Sequence, residues 1–358
     1  LTAATPARTT KTRPGAANAR KKAAPNRRAS GNGYWTAPTF NPEATASDFL
    51  DGEDLTVRRA AAEALGQYNG AVVVTDAATG RILTIVNQKL AFQAGFTPCS
   101  TIKLYAALAG LSEGLVERHT LLRLSRYQRM NLTEALATSN NPYFAWIGER
   151  LGFEKILEYA REYGLGEKAG LAIPEEQAST LPPHPPQPLG MMTSFGQNFL
   201  VTPLQLAAFT GAIANGGTLY YLQYPRSQAE AAALVPRVKR RLEIENLIPE
   251  IRPGMMGAVE FGTARRAAYN ANEPIYGKTG TCTDFRMPTH LGWFASFNDT
   301  GRNKLVVVVL LTGGKPINGP VASEVAGAVY RSLSKQNYFQ QARTLSPAAL
   351  TALQAAGY

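Results

Sequence analysis

The chain has 358 residues, 45% of them hydrophobic, and a formal net charge of +11, which fits one large domain or one domain in two lobes. No run of about 18 apolar residues occurs; the longest strand-like run is Val306 to Leu311, so no segment is expected to span a membrane. Eight of the cations (Arg8, Lys11, Arg13, Arg20, Lys21, Lys22, Arg27 and Arg28) fall in residues 1–35 with no acid among them, and 29 Lys+Arg face 26 Asp+Glu in the remainder. The basicity therefore belongs to the tail and says little about any site in the body.

Residues 1–35, rich in Ala, Thr, Pro, Arg and Lys, lack the large apolar residues a core needs, and are expected to be a disordered basic linker. The tail has no aromatic interleaving and no recognition module, so nucleic acid is not expected as a partner. A domain should then run over 36–358. A helix is expected over Thr56 to Tyr68, followed by a hairpin of Ala71–Thr75 and Ile82–Val86 turning at Gly80. A mostly helical lobe spans about 104–165, and the stretch from Leu181 to Pro186 reads as a proline-rich loop. Three strands come late (Ile275–Cys282, Leu291–Phe297 and Lys304–Leu311), and a last helix covers about Pro320 to Ser334. Strands at both chain ends with helices between them predict an α/β (α+β) fold, one antiparallel sheet flanked by helices plus a helical subdomain. No internal repeat is apparent.

Three short strings stand in order: Ser100-Thr101-Ile102-Lys103, Ser139-Asn140-Asn141 and Lys278-Thr279-Gly280-Thr281. S-x-x-K recurs at Ser332 to Lys335, and S-x-N at Ser30 and Ser296, so no string is specific alone. Context favours the first S-x-x-K. Thr97-Pro98-Cys99 reads as a turn before an apolar helix, so Ser100 should sit at a helix start with Lys103 on the same face one turn along. An apolar site would depress that lysine toward its neutral form. The string at Ser332 ends an amphipathic stretch and reads as a solvated helix end. His119, His184 and His290 are scattered singly, so neither metal nor cofactor is expected. Trp146 and Trp293 are expected in the core.

The ordered set is the one found in penicillin-binding proteins and class A β-lactamases. Around it, Gly196-Gln197-Asn198-Phe199-Leu200-Val201-Thr202-Pro203-Leu204-Gln205, then Ala212 to Gly217, Arg252 to Met256, Phe261-Gly262-Thr263-Ala264 and Gly292-Trp293-Phe294, resemble stretches of penicillin-binding transpeptidase domains, in family order over about 68–335. The resemblance implies a serine acyl-transferase acting on D-Ala-D-Ala stem peptides of peptidoglycan and acylated by β-lactam antibiotics. It implies Ser100 as nucleophile, Lys103 as base and Ser139 as proton relay. Asn141, Lys278, Thr279, Gly280 and Thr281 would bind substrate, and the N–H groups of Ser100 and Thr281 would form an oxyanion hole. It also implies an extracytoplasmic place, with an anchor segment outside this chain, and wall polymer or anionic lipid as the tail's partner if it has one.

The sequence departs from the family at Leu104, where many members have Pro, and in the short interval between Ser100 and Ser139. Three readings stay open: transpeptidase or carboxypeptidase, β-lactamase, and a β-lactam sensor that binds without turnover. A class A β-lactamase needs a deacylating glutamate, for which Glu175 and Glu176 lie in the right region, although their surroundings look like the transpeptidase loop. The only two cysteines, Cys99 and Cys282, occupy places bridged in some class A carbapenemases. They are a disulfide candidate on that resemblance, with two small buried thiols as the alternative. Strand alternation puts Cys282 opposite Thr281, expected to face away from the cleft.

Overall fold

The computed structural model describes residues 1–2, 37–284, 286, 289–341, 348, 351 and 354. By contacts the chain divides into units Leu1–Gly33 and Tyr34–Tyr358, and every element below belongs to the second. The expectation of a disordered linker over 1–35 falls, from residue 3 on, outside the described residues.

The body opens with α1 (Leu55–Leu65), β1 (Gly70–Asp76), β2 (Ile82–Val86) and the short α2 (Gln88–Ala91). A 3-10 turn (Cys99–Ile102) runs straight into α3 (Lys103–Ser112). Then come a small hairpin of β3 (Leu122–Arg123) and β4 (Arg129–Met130), α4 (Leu132–Ala137), α5 (Asn141–Glu162), α6 (Met191–Phe195) and α7 (Pro203–Ala214). After β5 (Thr218–Tyr220), α8 (Gln228–Ala233) and β6 (Val238–Arg241), α9 (Ile248–Glu260) leads to β7 (Ile275–Thr283), β8 (His290–Asn298), β9 (Leu305–Gly313) and α10 (Gly319–Lys335). The expected first helix ends three residues early because Gly66 takes a left-handed φ of 57° and closes it. The lobe expected to be helical also contains the β3–β4 hairpin, and α5 is interrupted at Gly152, whose φ of 77° is not helical.

Five strands form one antiparallel sheet in the order β2-β1-β9-β8-β7. The fold is therefore α+β, an antiparallel sheet flanked by helices. Pairing of β1 with β9, Gly70 opposite Leu311 through Asp76 opposite Leu305, joins the two ends of the domain. Alternate residues of β9 enter different cores. Val306, Val308 and Leu310 pack with α3, α5 and α7, whereas Val307, Val309 and Leu311 pack with α1 and α10. Helices on both faces explain why β9 is a continuous apolar run and not an alternating one. Each such valine or leucine contributes about 1.5–3 kcal/mol when fully buried.

Helix α7 is buried all round. Thr202 caps it by accepting from the Gln205 N–H, the Gln205 side chain reaches back to the Thr202 N–H, and Pro203 occupies the first turn. The Thr202-Pro203-Leu204-Gln205 string is thus a helix start that seats the central helix under the sheet.

One glycine decides how the two halves meet. A Cβ on Gly280 of β7 would lie 3.0 Å from the Pro98 carbonyl oxygen and 3.2 Å from the Cys99 Cβ. A bare backbone lets β7 lie against the 3-10 turn without either side giving way. Gly280→Ala should cost about 1–3 kcal/mol, as overpacking against backbone does, and the thermal midpoint should fall accordingly; a midpoint equal to wild type would show that the joint is slack.

Candidate active site

Ser100 lies in the 3-10 turn, not in the first turn of an α-helix, and Lys103 is the first residue of α3. The difference helps the pair, because residues i and i+3 of a 3-10 turn eclipse each other. Cys99 enters the turn at φ 51°, a strained value for a non-glycine residue, and the turn is braced by the Trp293 indole N–H donating to the Thr97 carbonyl at 2.9 Å.

The Lys103 side chain is completely buried. Its Nζ lies 2.7 Å from Ser100 Oγ and 2.8 Å from Asn141 Oδ1, and it also donates to the Ser194 carbonyl at the end of α6. The rings of Phe144 and Phe195 stand 5.7 and 5.6 Å from it. Burial first, and the nearby Lys278 second, push its pKa down to about 6. A neutral amine has two N–H donors and one lone pair. Asn141 and Ser194 take the donors, so the lone pair is left for the Ser100 hydroxyl, and the amine can accept the serine's proton.

Ser139 sits between α4 and α5 at φ 58°. Its neighbours divide the labour of the turn. The Asn140 side chain caps α5 by accepting from the Tyr143 N–H at 2.9 Å, while Asn141, the first residue of α5, points at Lys103. Ser139 Oγ accepts from Lys278 Nζ at 2.8 Å, and Lys278 also donates to the Thr279 carbonyl at 3.0 Å. Lys278 is fully buried, and burial lowers its pKa to about 7.

On the other face of β7, Thr279 Oγ1 lies 2.6 Å from Thr263 Oγ1, and Thr281 Oγ1 accepts the Gly319 N–H at 2.7 Å. Lys278, Gly280 and Cys282 share the face that meets the serine turn. Cys282 is bonded there to Cys99, with a Cα separation of 5.6 Å. Cys282 therefore lies on the face opposite Thr281, as strand alternation put it, and from there it reaches Cys99 because Gly280 lets β7 approach the turn.

The structure thus brings Ser100, Lys103, Ser139, Asn141 and Lys278 into one hydrogen-bonded group, with Thr279, Gly280 and Thr281 on the strand beside it. The second S-x-x-K lies apart at the end of α10, with Lys335 exposed and Ser334 bonded to Glu273. Ser296 of the second S-x-N is buried in β8, where its hydroxyl donates to the Val307 carbonyl; Ser30 lies outside the described residues. Trp293 is buried in the core, but Trp146 is half-buried and carries Arg150 stacked 3.6 Å over its ring. Both oxygens of buried Glu176 accept from the N–H groups of Gly170 and Leu171. Sequence reasoning missed the Ser194 carbonyl, Phe144, Phe195 and Thr263. Thr263 carried a signal, in the Phe261-Gly262-Thr263-Ala264 string. Among the described residues no group of three or more His, Cys, Asp or Glu could hold a metal, and no helix is long and apolar enough to cross a membrane.

Residues 70–334 match the family described as penicillin binding protein transpeptidase domain. The chain belongs to this family. It is similar to stage V sporulation protein D of Bacillus subtilis, with 29% identity over 69% of this chain and 43% of that protein. It is also similar to the peptidoglycan D,D-transpeptidase MrdA of Haemophilus influenzae, with 23% identity over 76% of this chain and 54% of that protein. The chain spans about half the length of these relatives. A crystal structure of Pseudomonas aeruginosa PBP2 in complex with WCK 5153 superposes with a TM-score of 0.68 at 22% identity, covering 81% of this chain and 76% of that one, which shows the shared fold.

Two expected outcomes follow from the geometry. The disulfide ties positions 183 apart in sequence; a bond closing so long a loop is typically worth about 2–4 kcal/mol. Reduction should therefore lower the denaturation midpoint, and two free thiols in unreduced, denatured protein would contradict the bridge. The lysines give the second. Their folded pKa values, about 6 and about 7, lie below the 10.5 of a free lysine. The unfolded chain thus binds more protons between those limits, and stability must rise with pH from about 7 toward 10. Lys103→Met should remove at most about 1.4 kcal/mol per pH unit from that slope, measured by denaturant unfolding at pH 7 and pH 9. An unchanged slope would mean that the lysine stays charged in the fold.

Proposed function

We propose that this chain is the penicillin-binding catalytic domain of a serine D,D-transpeptidase that cross-links peptidoglycan stem peptides on the extracytoplasmic side of the bacterial membrane. The observation that carries the reading is the neutral, buried Lys103 amine 2.7 Å from Ser100 Oγ with its two donors already engaged.

Ser100 Oγ attacks the carbonyl of the penultimate D-Ala as Lys103 takes the hydroxyl proton. The N–H groups of Ser100 and Thr281 stabilise the oxyanion, since donors fixed toward developing charge lower the barrier most. The C–N bond then breaks, the terminal D-Ala leaves with a proton delivered through Ser139, and an ester to Ser100 remains. Attack by an acceptor amine breaks that ester, forms the cross-linking amide and returns a proton to Ser100. Thr279 and Thr281, with Lys278, hold the substrate's terminal carboxylate, and Asn141 holds its amide. Because β7 is the edge of the sheet, a substrate peptide can lie along it as an added strand. A β-lactam follows the same course as far as the acyl-enzyme.

Glu176 bears on the β-lactamase alternative. Its two oxygens brace its own loop, so it is not free to activate water for deacylation. The reading is tested by incubating the protein with benzylpenicillin and following intact mass over time. A persistent adduct is expected, lost in Ser100→Ala and retained in Ser332→Ala. A transient adduct means a β-lactamase, and no adduct on wild-type protein defeats the reading.

A further inference from the structure

Two threonine hydroxyls, Thr279 and Thr281, stand on the same face of β7. Each oxygen has a protein neighbour, and the neighbours decide which way the hydroxyl protons point. For Thr281 the answer is fixed, because the backbone N–H of Gly319 can only donate, so Thr281 Oγ1 is the acceptor at 2.7 Å and its own proton is free. For Thr279 the neighbour is another hydroxyl, Thr263 Oγ1 at 2.6 Å, and either could donate. A carboxylate accepts only. If Thr279 is to donate to one, its proton must leave the Thr263 contact, and Thr263 must supply the proton to that contact in its place.

Thr263 is held for such a task. Its N–H donates to the Ala137 carbonyl at the end of α4, 3.1 Å away. The preceding Gly262 lies so close to α4 that a Cβ there would stand 2.1 Å from the same carbonyl oxygen. Ala137 is two residues before Ser139, so the Gly262-Thr263 turn is tied to the segment carrying the Ser139 loop while its hydroxyl reaches the strand that carries Lys278. This assigns a job to the Phe261-Gly262-Thr263-Ala264 string that the acylation chemistry does not use.

We propose that Thr263 is a positioning residue that sets the polarity of the Thr279 hydroxyl. It donates to Thr279 Oγ1 so that Thr279, like Thr281, presents its proton to the carboxylate of the bound peptide or β-lactam. The inference rests on the reading above and deepens it, since it names the group that makes this site select an anionic terminus. Thr263 touches no reacting atom and acts through Thr279 alone.

The test compares wild type, Thr263→Val, Thr263→Ala and Thr263→Ser with two probes, benzylpenicillin and its methyl ester, resolving the pre-acylation dissociation constant from the acylation rate constant. Without the donor that orients it, the Thr279 hydroxyl is free to rotate, and capture of benzylpenicillin should weaken by about threefold to tenfold in the valine and alanine variants, the worth of one neutral hydrogen bond. The acylation rate constant should change little, the serine variant should behave as wild type, and capture of the ester should be nearly the same in all four proteins. The alanine variant carries the comparison if the valine variant does not fold. Equal capture of benzylpenicillin by wild type and Thr263→Ala overturns the proposal. So does an equal loss for acid and ester, or a Thr263→Ser variant as weak as Thr263→Ala, because a purely structural role predicts those results. If wild type is acylated by neither probe, the functional reading fails and takes this proposal with it, whereas acylated wild type with an indifferent Thr263 sinks the proposal alone.

Discussion

Two lysine amines are buried at the centre of this domain, and neither is paired with a carboxylate among the described residues. That constraint governs the arrangement around them. A buried ammonium without a counter-ion is costly, and the cheaper state is the neutral amine with its donors satisfied. Asn141, the Ser194 carbonyl, Ser139 and the Thr279 carbonyl are the acceptors that make that state tolerable. They come from α5, α6, the α4–α5 turn and β7, so the fold has to bring four elements to the same place. Phe144 and Phe195 exclude water, which keeps the pKa low, and their π faces offer weak compensation whenever Lys103 does charge. The same low pKa that strains the fold below neutrality leaves the amine neutral beside the Ser100 hydroxyl.

Held at one joint, the two halves of the site depend on backbone contact more than on side chains. Gly280 removes the steric obstacle between β7 and the serine turn, Trp293 ties the residue before that turn, and the Cys99–Cys282 bond closes the joint covalently. Cys99 holds a strained φ immediately before Ser100. Such a backbone persists only where its surroundings over-determine it, and here three separate contacts do so. The serine is thereby fixed before any substrate arrives, which is the condition under which oriented donors and a nearby base lower a barrier.

How much of this was legible in the sequence follows from the range of the interactions. The sheet could be read from Val306–Leu311 and the other apolar runs, because β-period and composition are local signals. The Ser100–Lys103 pair could be read from spacing, although the residues sit in a 3-10 turn and not in an α-helical one. Asn141 could have been an ordinary turn residue before Pro142; the fold separates the two jobs by giving the cap to Asn140. The Ser194 carbonyl was invisible, since a backbone acceptor 91 positions from Lys103 leaves no mark on residue type. The end of α1 at Gly66 and the β3–β4 hairpin were missed because both are decided by one or two residues against a helical background.

The electrostatics of the proposed site also bear on what it can recognise and what it does next. An anion-binding site is ordinarily built from fixed cations, but the cation here, Lys278, is close to half neutral near pH 7. Its charge is therefore conditional. In the proposed reading, a carboxylate placed beside it would favour the charged form. That charge has a consequence for Lys103, whose pKa it already lowers. A charge on Lys278 favours the neutral form of Lys103, while an anion in the site acts on Lys103 in the opposite sense. Glu176 is engaged by the amides of Gly170 and Leu171 and offers no free carboxylate oxygen to a water. In the proposed reading, a neutral amine beside the serine and a Glu176 held by its own loop favour transfer to an acceptor amine over hydrolysis.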